Sequence, residues 1–393
     1  MNLVIQGKYN KATIHIENIE EDALRQIYHI CNAFVSNNSV IHIMPDVHLG
    51  KGVPIGFTQK LDRHDIKICP NFVSVDIGCR VSSMKLPKMK GIDFPGLDKW
   101  IRNTVPLGAG SYKQGGLTGK QMKLLSKEEL DLFGEAERLI AEDGEQGMKV
   151  PVLGQLFSLG GGNHFISLNK DPEDNVWLSV HSGSRNFGLA VAVIYQRHAE
   201  ELCKDSCEKE MRYLDSSMGP YLDHYLRCVE ACQAFSGANH RLIMEAVGGY
   251  LCDMQHVKFE QLDFITTLHN YIDLEGMVVR KGAVSAREGE RFLLPFNMRD
   301  GIAVCVGKGN EDWNWSAPHG AGRIMSRSEA KQKLNVGHEK KAMEEAGVFT
   351  TSLDYAIDEA ASAYKDKGMI MECVAPTAEI KFVMREIYNV KGK

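Results

Sequence analysis

Two blocks of short, alternating apolar segments enclose a long helical stretch, and this arrangement most constrains how the chain can fold. Residues 1 to 90 contain VIQGKY, KATIHI, VIHIM, FVSVDI and VSSMKL, several with the period-two alternation of a half-buried strand. The pattern resumes in FITTLHNYI, GMVVRKGAVSA and GIAVCVG. The terminal EIKFVMREIYNVKGK alternates at Ile380, Phe382 and Met384, which predicts a strand ending near Lys391. VWLSVHSGSR reads as a strand followed by a turn. Helical periodicity marks IEEDALRQIYHICNAFV at residues 19 to 35, and Ser126 with Glu129 forms a capping box that opens a helix to about residue 142. From Ala190 to about Met254 the chain turns to long Ala-, Leu-, Cys- and His-containing helices, a helical insertion over about residues 190–256. The expected fold class is α+β: a single large mixed α/β domain spanning residues 1–393 around β-sheets.

A chain of 393 residues with 44% apolar and 25% charged residues can bury a substantial core. It has no apolar run long enough to span a bilayer, so no membrane association is expected. The N-terminal MNLVIQGKYNKATIHIE alternates like a strand and does not resemble a secretory signal, so a cytoplasmic location is expected. A net charge of −5 argues against bulk affinity for nucleic acid; phosphate binding would need a local basic patch. The 10 cysteines are then expected to be reduced, mostly buried, and in one or two cases chemical.

Five residues of metal-ligand type occupy glycine-flanked or strand-end positions: Asp76 and Cys79 in SVDIGC, His164 in LGGGNHF, His181 in SVHSGSR and His269 in TTLHNY. Asp76 and Cys79, three residues apart where an apolar strand is expected to end, can turn toward one point. Taken singly, each reads as an ordinary hydrogen-bonded histidine or a small buried hydrophobe. Taken together they suit zinc, iron or manganese, and spacing alone leaves the ion open. A second group, Cys203, Cys207, His224, Cys228 and Cys232, recurs at intervals of four in the helical stretch. Without a C-x-x-C pair or a turn, it reads as small residues filling a helix contact.

Basic residues beside glycines form a third group: Lys51, Arg185, Lys281, Arg323 and Arg327. Guanidinium forks and bare backbone N–H groups are what phosphate recognition needs. His319 stands between Pro318 and Gly320-Ala321-Gly322, and Ser326 with Glu329 predicts a capped helix just beyond, a frame suited to a phosphate.

These segments resemble the RtcB-type RNA ligases. MPDVHLGKG (44–52), VDIGC (75–79), GGNHF (161–165), HSGSR (181–185), HNY (269–271), RKGAVSA (280–286), HGAGR (319–323) and VKG (390–392) occur in that family's order over nearly the whole chain. The resemblance implies an RtcB-like fold and an enzyme joining 2′,3′-cyclic phosphate or 3′-phosphate RNA ends to 5′-hydroxyl ends, in RNA repair or tRNA splicing. It implies GTP as cosubstrate, covalent GMP on His319, and two Mn²⁺ ions held by Asp76, Cys79, His164, His181 and His269, with Cys79 as the bridge. It assigns nucleotide contacts to Asn163, Phe165, Asn270, Gly320, Ala321, Gly322 and Lys391, and RNA or phosphate contacts to Arg185, Lys281, Arg323 and Arg327. An archease-type activating protein is an implied partner.

The chain departs from the family at several points around the nucleotide. Ser167 stands where the family usually has a glutamate, and Pro295-Phe296-Asn297-Met298-Arg299 replaces PGSMG. Ile302 replaces a nearby serine, and Arg80 replaces a glycine. Ser167, Pro295, Asn297, Met298 and Ile302 are therefore expected at the nucleotide site, with base recognition altered. The alternative reading is a metal-dependent RNA-end phosphodiesterase or cyclic phosphatase that does not ligate.

Overall fold

The computed structural model describes residues 3–144, 148–205 and 207–393. Three sheets organise it. A six-stranded sheet runs Leu3–Gln6, Lys11–Ile14, Val40–His48, Ile55–Lys60, Val278–Lys281, Asn270–Asp273 in spatial order. A seven-stranded antiparallel sheet runs Arg291–Asn297, Gly301–Gly307, Ala378–Lys391, Phe165–Lys170, Val176–Ser182, Arg80–Lys85, Asp263–Leu268. Ala283–Ser285 and Ser316–Pro318 pair as a short ribbon. The α+β expectation holds, and the terminal strand does run to Lys391. Among the described residues, no helix is long and apolar enough to cross a membrane.

Two expected single strands prove to be pairs that change sheets. FITTLHNYI breaks at His269: Leu268 ends a strand of the seven-stranded sheet and Asn270 begins one in the six-stranded sheet. GMVVRKGAVSA breaks at Gly282, whose φ of +62° turns the chain from the six-stranded sheet into the ribbon. Period-two patterning continues across both breaks, so it could not reveal them. FVSVDI is not a strand. Its start lies in a 3-10 turn, Pro70–Phe72, and Ser74 (φ 114°) and Gly78 (φ 74°) interrupt extended backbone, although Phe72, Val73 and Ile77 are buried. Asp76 and Cys79 thus precede the strand Arg80–Lys85 and do not end one.

The helical stretch begins earlier than expected, at Arg185, and consists of two helices, Arg185–Leu202 and Tyr221–Met254. The longer one backs the ends of the central strands. Its Gln233 carbonyl and Ser236 hydroxyl accept from the Arg80 guanidinium, Nη2 reaching the carbonyl at 2.6 Å and Nε the hydroxyl at 2.9 Å. His240 lies 2.9 Å from the Ser82 hydroxyl, and Asn239 Nδ2 donates to the Ser158 carbonyl. The Ser126–Glu129 box caps Lys127–Asp143 as expected, with both reciprocal hydrogen bonds made, worth about 1 kcal/mol.

Candidate active site

Antiparallel order explains how ligands far apart in sequence meet. The starts of Arg80–Lys85 and Phe165–Lys170 share one edge of the sheet with the ends of Val176–Ser182, Asp263–Leu268 and Ala378–Lys391. Cys79, His164, His181, His269 and Lys391 are therefore neighbours at that edge. Cys79 Sγ is 3.5 Å from His164 Nε2 and 3.3 Å from His181 Nε2. The Nε2 atoms of His181 and His269 are 3.3 Å apart, and His164 Nε2 is 3.0 Å from Asp76 Oδ2. Two groups result, Asp76–Cys79–His164 and Cys79–His181–His269, each with its ligand atoms within 4.8 Å of one another. Cys79 belongs to both. Gly183 is needed at this edge, because a Cβ there would strike the Asp76 carboxylate.

The electrostatics fit a cation. Burial keeps the imidazoles of His164, His181 and His269 below their ordinary value, and so neutral, the form that binds metals. Burial opposes the Asp76 charge, but the His164 hydrogen bond and the Arg185 guanidinium outweigh it and keep the carboxylate ionised. Burial and the Asp76 carboxylate push the Cys79 thiol well above its ordinary value, so a thiolate here needs a positive ion beside it. A thiolate, a carboxylate and imidazoles can together hold zinc, iron or manganese. The helical cysteines form no such cluster among the described residues. Cys228 lies 3.6 Å from the Tyr195 hydroxyl and His224 2.9 Å from Asp143, in line with their reading as packing residues.

Asp76, Cys79, His181 and His269 open into a cavity of about 870 Å³ that His319 also lines, a volume large enough for a nucleotide-sized ligand. His319 Nδ1 is 2.6 Å from Oδ2 of Asp46, a fully buried carboxylate that also accepts from the His319 backbone N–H. This bond places the proton on Nδ1 and leaves the Nε2 lone pair for chemistry. The His269 and His319 ring centroids are 5.1 Å apart. Gly322, at φ 73°, lets the turn after His319 press against the Asp46 backbone, where a Cβ would collide. Asp46 was missed as a functional residue. It stands in MPDVHLGKG, within the strand Val40–His48 where residues 41–47 are all buried, and the available signal was a carboxylate set among the apolar Met44, Pro45 and Val47.

Among the expected nucleotide contacts, Asn163, Phe165, Asn270, Pro295, Asn297, Met298, Ile302, Gly320, Ala321, Gly322 and Lys391 line the cavity. Ser167 does not. It is fully buried one ladder step inward from Phe165, its hydroxyl directed to Asn169. In its place Asn389, paired opposite Ser167, and Glu386 line the cavity, and sequence reasoning missed both.

The basic residues divide. Arg323 and Arg327 line the cavity and pair with Glu359 and, for Arg327, Asp358. Arg185 is turned inward, its Nη2 2.9 Å from His164 Nδ1, so it steadies a ligand histidine and is not offered to solvent. Lys281 is not brought to the cavity: its buried ammonium donates to the backbone carbonyls of Lys51 and Asn71, and burial lowers its pKa to about 8. A strand position facing the interior overrode the phosphate-binding frame that the adjacent glycine suggested.

The structure is thus a mixed α/β protein with a candidate metal centre facing an oriented histidine across one cavity. Residues 31–392 match the family model described as tRNA-splicing ligase RtcB, and the chain belongs to this family of RNA-splicing ligases. It is 30% identical over 401 residues to RNA-splicing ligase RtcB1 of Escherichia coli ATCC 25922, covering 95% of each chain, and equally similar to RNA-splicing ligase RtcB of Escherichia coli K12. It is 25% identical over 433 residues to tRNA-splicing ligase RtcB of Pyrobaculum aerophilum, covering 89% of this chain and 87% of that one.

Proposed function

We propose that the protein joins RNA 2′,3′-cyclic phosphate or 3′-phosphate ends to 5′-hydroxyl ends through GMP carried on His319, residues 1–393 acting as one cytoplasmic catalytic unit. One observation carries this reading: His319, its Nδ1 held by Asp46, lines the same cavity as Asp76, Cys79, His181 and His269 of the two ligand groups that share Cys79. Asp76, Cys79 and His164 would hold one manganese ion, and Cys79, His181 and His269 the other; bound there, the ions would offset charge on the reacting phosphates.

Asp46 holds the Nδ1 proton while His319 Nε2 attacks the α-phosphorus of GTP. A P–N bond forms, the bond from the α-phosphorus to the bridging oxygen breaks, and pyrophosphate leaves. An oxygen of the RNA 3′-phosphate then takes the GMP, which restores the imidazole. The 5′-hydroxyl oxygen attacks the activated 3′-phosphorus, its proton is lost, and GMP departs. A cyclic phosphate is first opened by water. Lys391, Arg323 and Arg327 line the cavity around Glu359, and these three cations would meet the phosphates.

The test is an RNA with a 2′,3′-cyclic phosphate and a 5′-hydroxyl, incubated with protein, Mn²⁺ and GTP. A joined product that requires GTP supports ligation. Hydrolysis of the cyclic end without joining, unchanged in His319→Ala, would instead make the protein a phosphodiesterase.

A further inference from the structure

A polar ladder runs inward from the metal edge along the apolar face formed by Val81, Phe165, Trp177, Ile302 and Met384. Cross-strand register defines it. Phe165 faces Lys391 and His181, Ser167 faces Asn389 and Ser179, and Asn169 faces Glu386 and Trp177. Alternation alone would put residues 386 and 389 on opposite faces of their strand. A bulge between Glu386 and Tyr388 changes the count, so that both face the side of Ser167 and Asn169. Both therefore reach the cavity wall, while Ser167 stays beneath it.

The hydrogen bonds of this ladder close, with one exception. Asn169 Nδ2 donates to Glu386 Oε2, and the hydroxyls of Ser179 and Ser167 donate to Asn169 Oδ1 at 2.8 and 3.2 Å. Asn389 Nδ2 donates to Glu386 Oε1 at 2.8 Å, which fixes the orientation of its amide. Asn389 Oδ1 then has no partner, although the residue is 1% exposed and lines the cavity. A buried acceptor left unpaired is costly, and few native groups are left so unless a ligand completes them.

We propose that Asn389, its amide oriented by Glu386, reads the nucleobase by accepting a hydrogen bond from an N–H on the base edge. The bulge is the device that brings this pair to the wall. Pro295, Phe296, Met298 and Ile302 add apolar lining to the same cavity, and Lys391, two residues on, leads back to the metal edge. The inference rests on the cavity being a nucleotide site, as proposed above.

Equilibrium binding to the full chain with Mn²⁺ tests it, using the four common ribonucleoside triphosphates and purine ribonucleoside triphosphate, whose pairing edge has no N–H. Wild type is expected to bind the purine analogue about 5- to 100-fold more weakly than the best common triphosphate, the range for leaving a buried polar group unpaired. Asn389→Leu is expected to bring the two within about threefold, with the analogue's own affinity retained as the sign of an intact fold. Equal wild-type affinity for the analogue and the best common triphosphate overturns the inference without needing any variant. So does an undiminished preference in Asn389→Leu. If wild type binds no triphosphate at all, the nucleotide reading itself falls, and that outcome is distinct from the other two.

Discussion

The Asp46–His319 pair sets what this site can do. Because Asp46 Oδ2 accepts from both the backbone N–H and Nδ1 of His319, the ring is held in one orientation and one tautomer. Asp46→Asn puts an amide donor within reach of Nδ1 and favours the tautomer with its proton on Nε2, where the lone pair is needed. Transfer of nucleotide to the protein is expected to slow by about 10²- to 10⁴-fold, as when a histidine loses its orienting carboxylate, with metal content unchanged. Single-turnover labelling checks this; a rate within threefold of wild type would remove Asp46 from the account. Motif matching picked out His319 but not its partner. The two are 273 residues apart and meet only in the folded chain, where the turn at Gly322 packs against the Asp46 backbone.

At the scale of elements, the site is one edge of an antiparallel sheet plus the crossing between sheets at His269. The ligand residues were legible in the sequence because glycines and strand ends flank them. Their grouping was not, since it depends on which strands are neighbours, and alternation does not specify neighbours. Ser167 was expected at the nucleotide only because the family carries a glutamate at that position, and the serine stays beneath the wall; Asn389 was overlooked because a one-residue bulge in its strand brings it to the cavity. The two groups meeting at Cys79 predict a stoichiometry. On the proposed two-ion reading, Cys79→Ala is expected to retain neither ion after dialysis against trace Mn²⁺, while His269→Ala and His164→Ala each retain one. Elemental analysis of the dialysed proteins measures this. Cys79→Ala retaining two ions would dissolve the shared-thiolate arrangement.

The whole molecule carries a pH dependence set by buried neutral histidines. Burial holds His15 at about 3 and His42 at about 4, the pair stacked beside Trp313, and burial also lowers His48 to about 4. The unfolded chain takes up these protons near pH 6.5 and the folded chain does not. Stability is therefore full above about 6.5 and lost as pH falls from there toward 4. Glu386 acts in the opposite sense, since burial raises its pKa to about 8 and its contribution declines as pH rises from about 4.5 to 8. Because the histidines held low by burial outnumber this one carboxyl, urea midpoints are expected to fall on acidification from pH 6.5 to 4. A flat profile would mean that the histidines are protonated in the folded state. Composition indicated a large core without locating these groups, because a buried histidine and an exposed one are the same letter in sequence.

If His319 carries the nucleotide beside a metal centre, α-³²P-labelled triphosphates will label the protein covalently in the presence of Mn²⁺. Wild type is expected to gain an acid-labile label from at least one of the four nucleotides, strongest with GTP, and His319→Ala is expected to gain none. A wild-type protein left unlabelled by all four, or a His319→Ala variant labelled as well as wild type, would contradict that role.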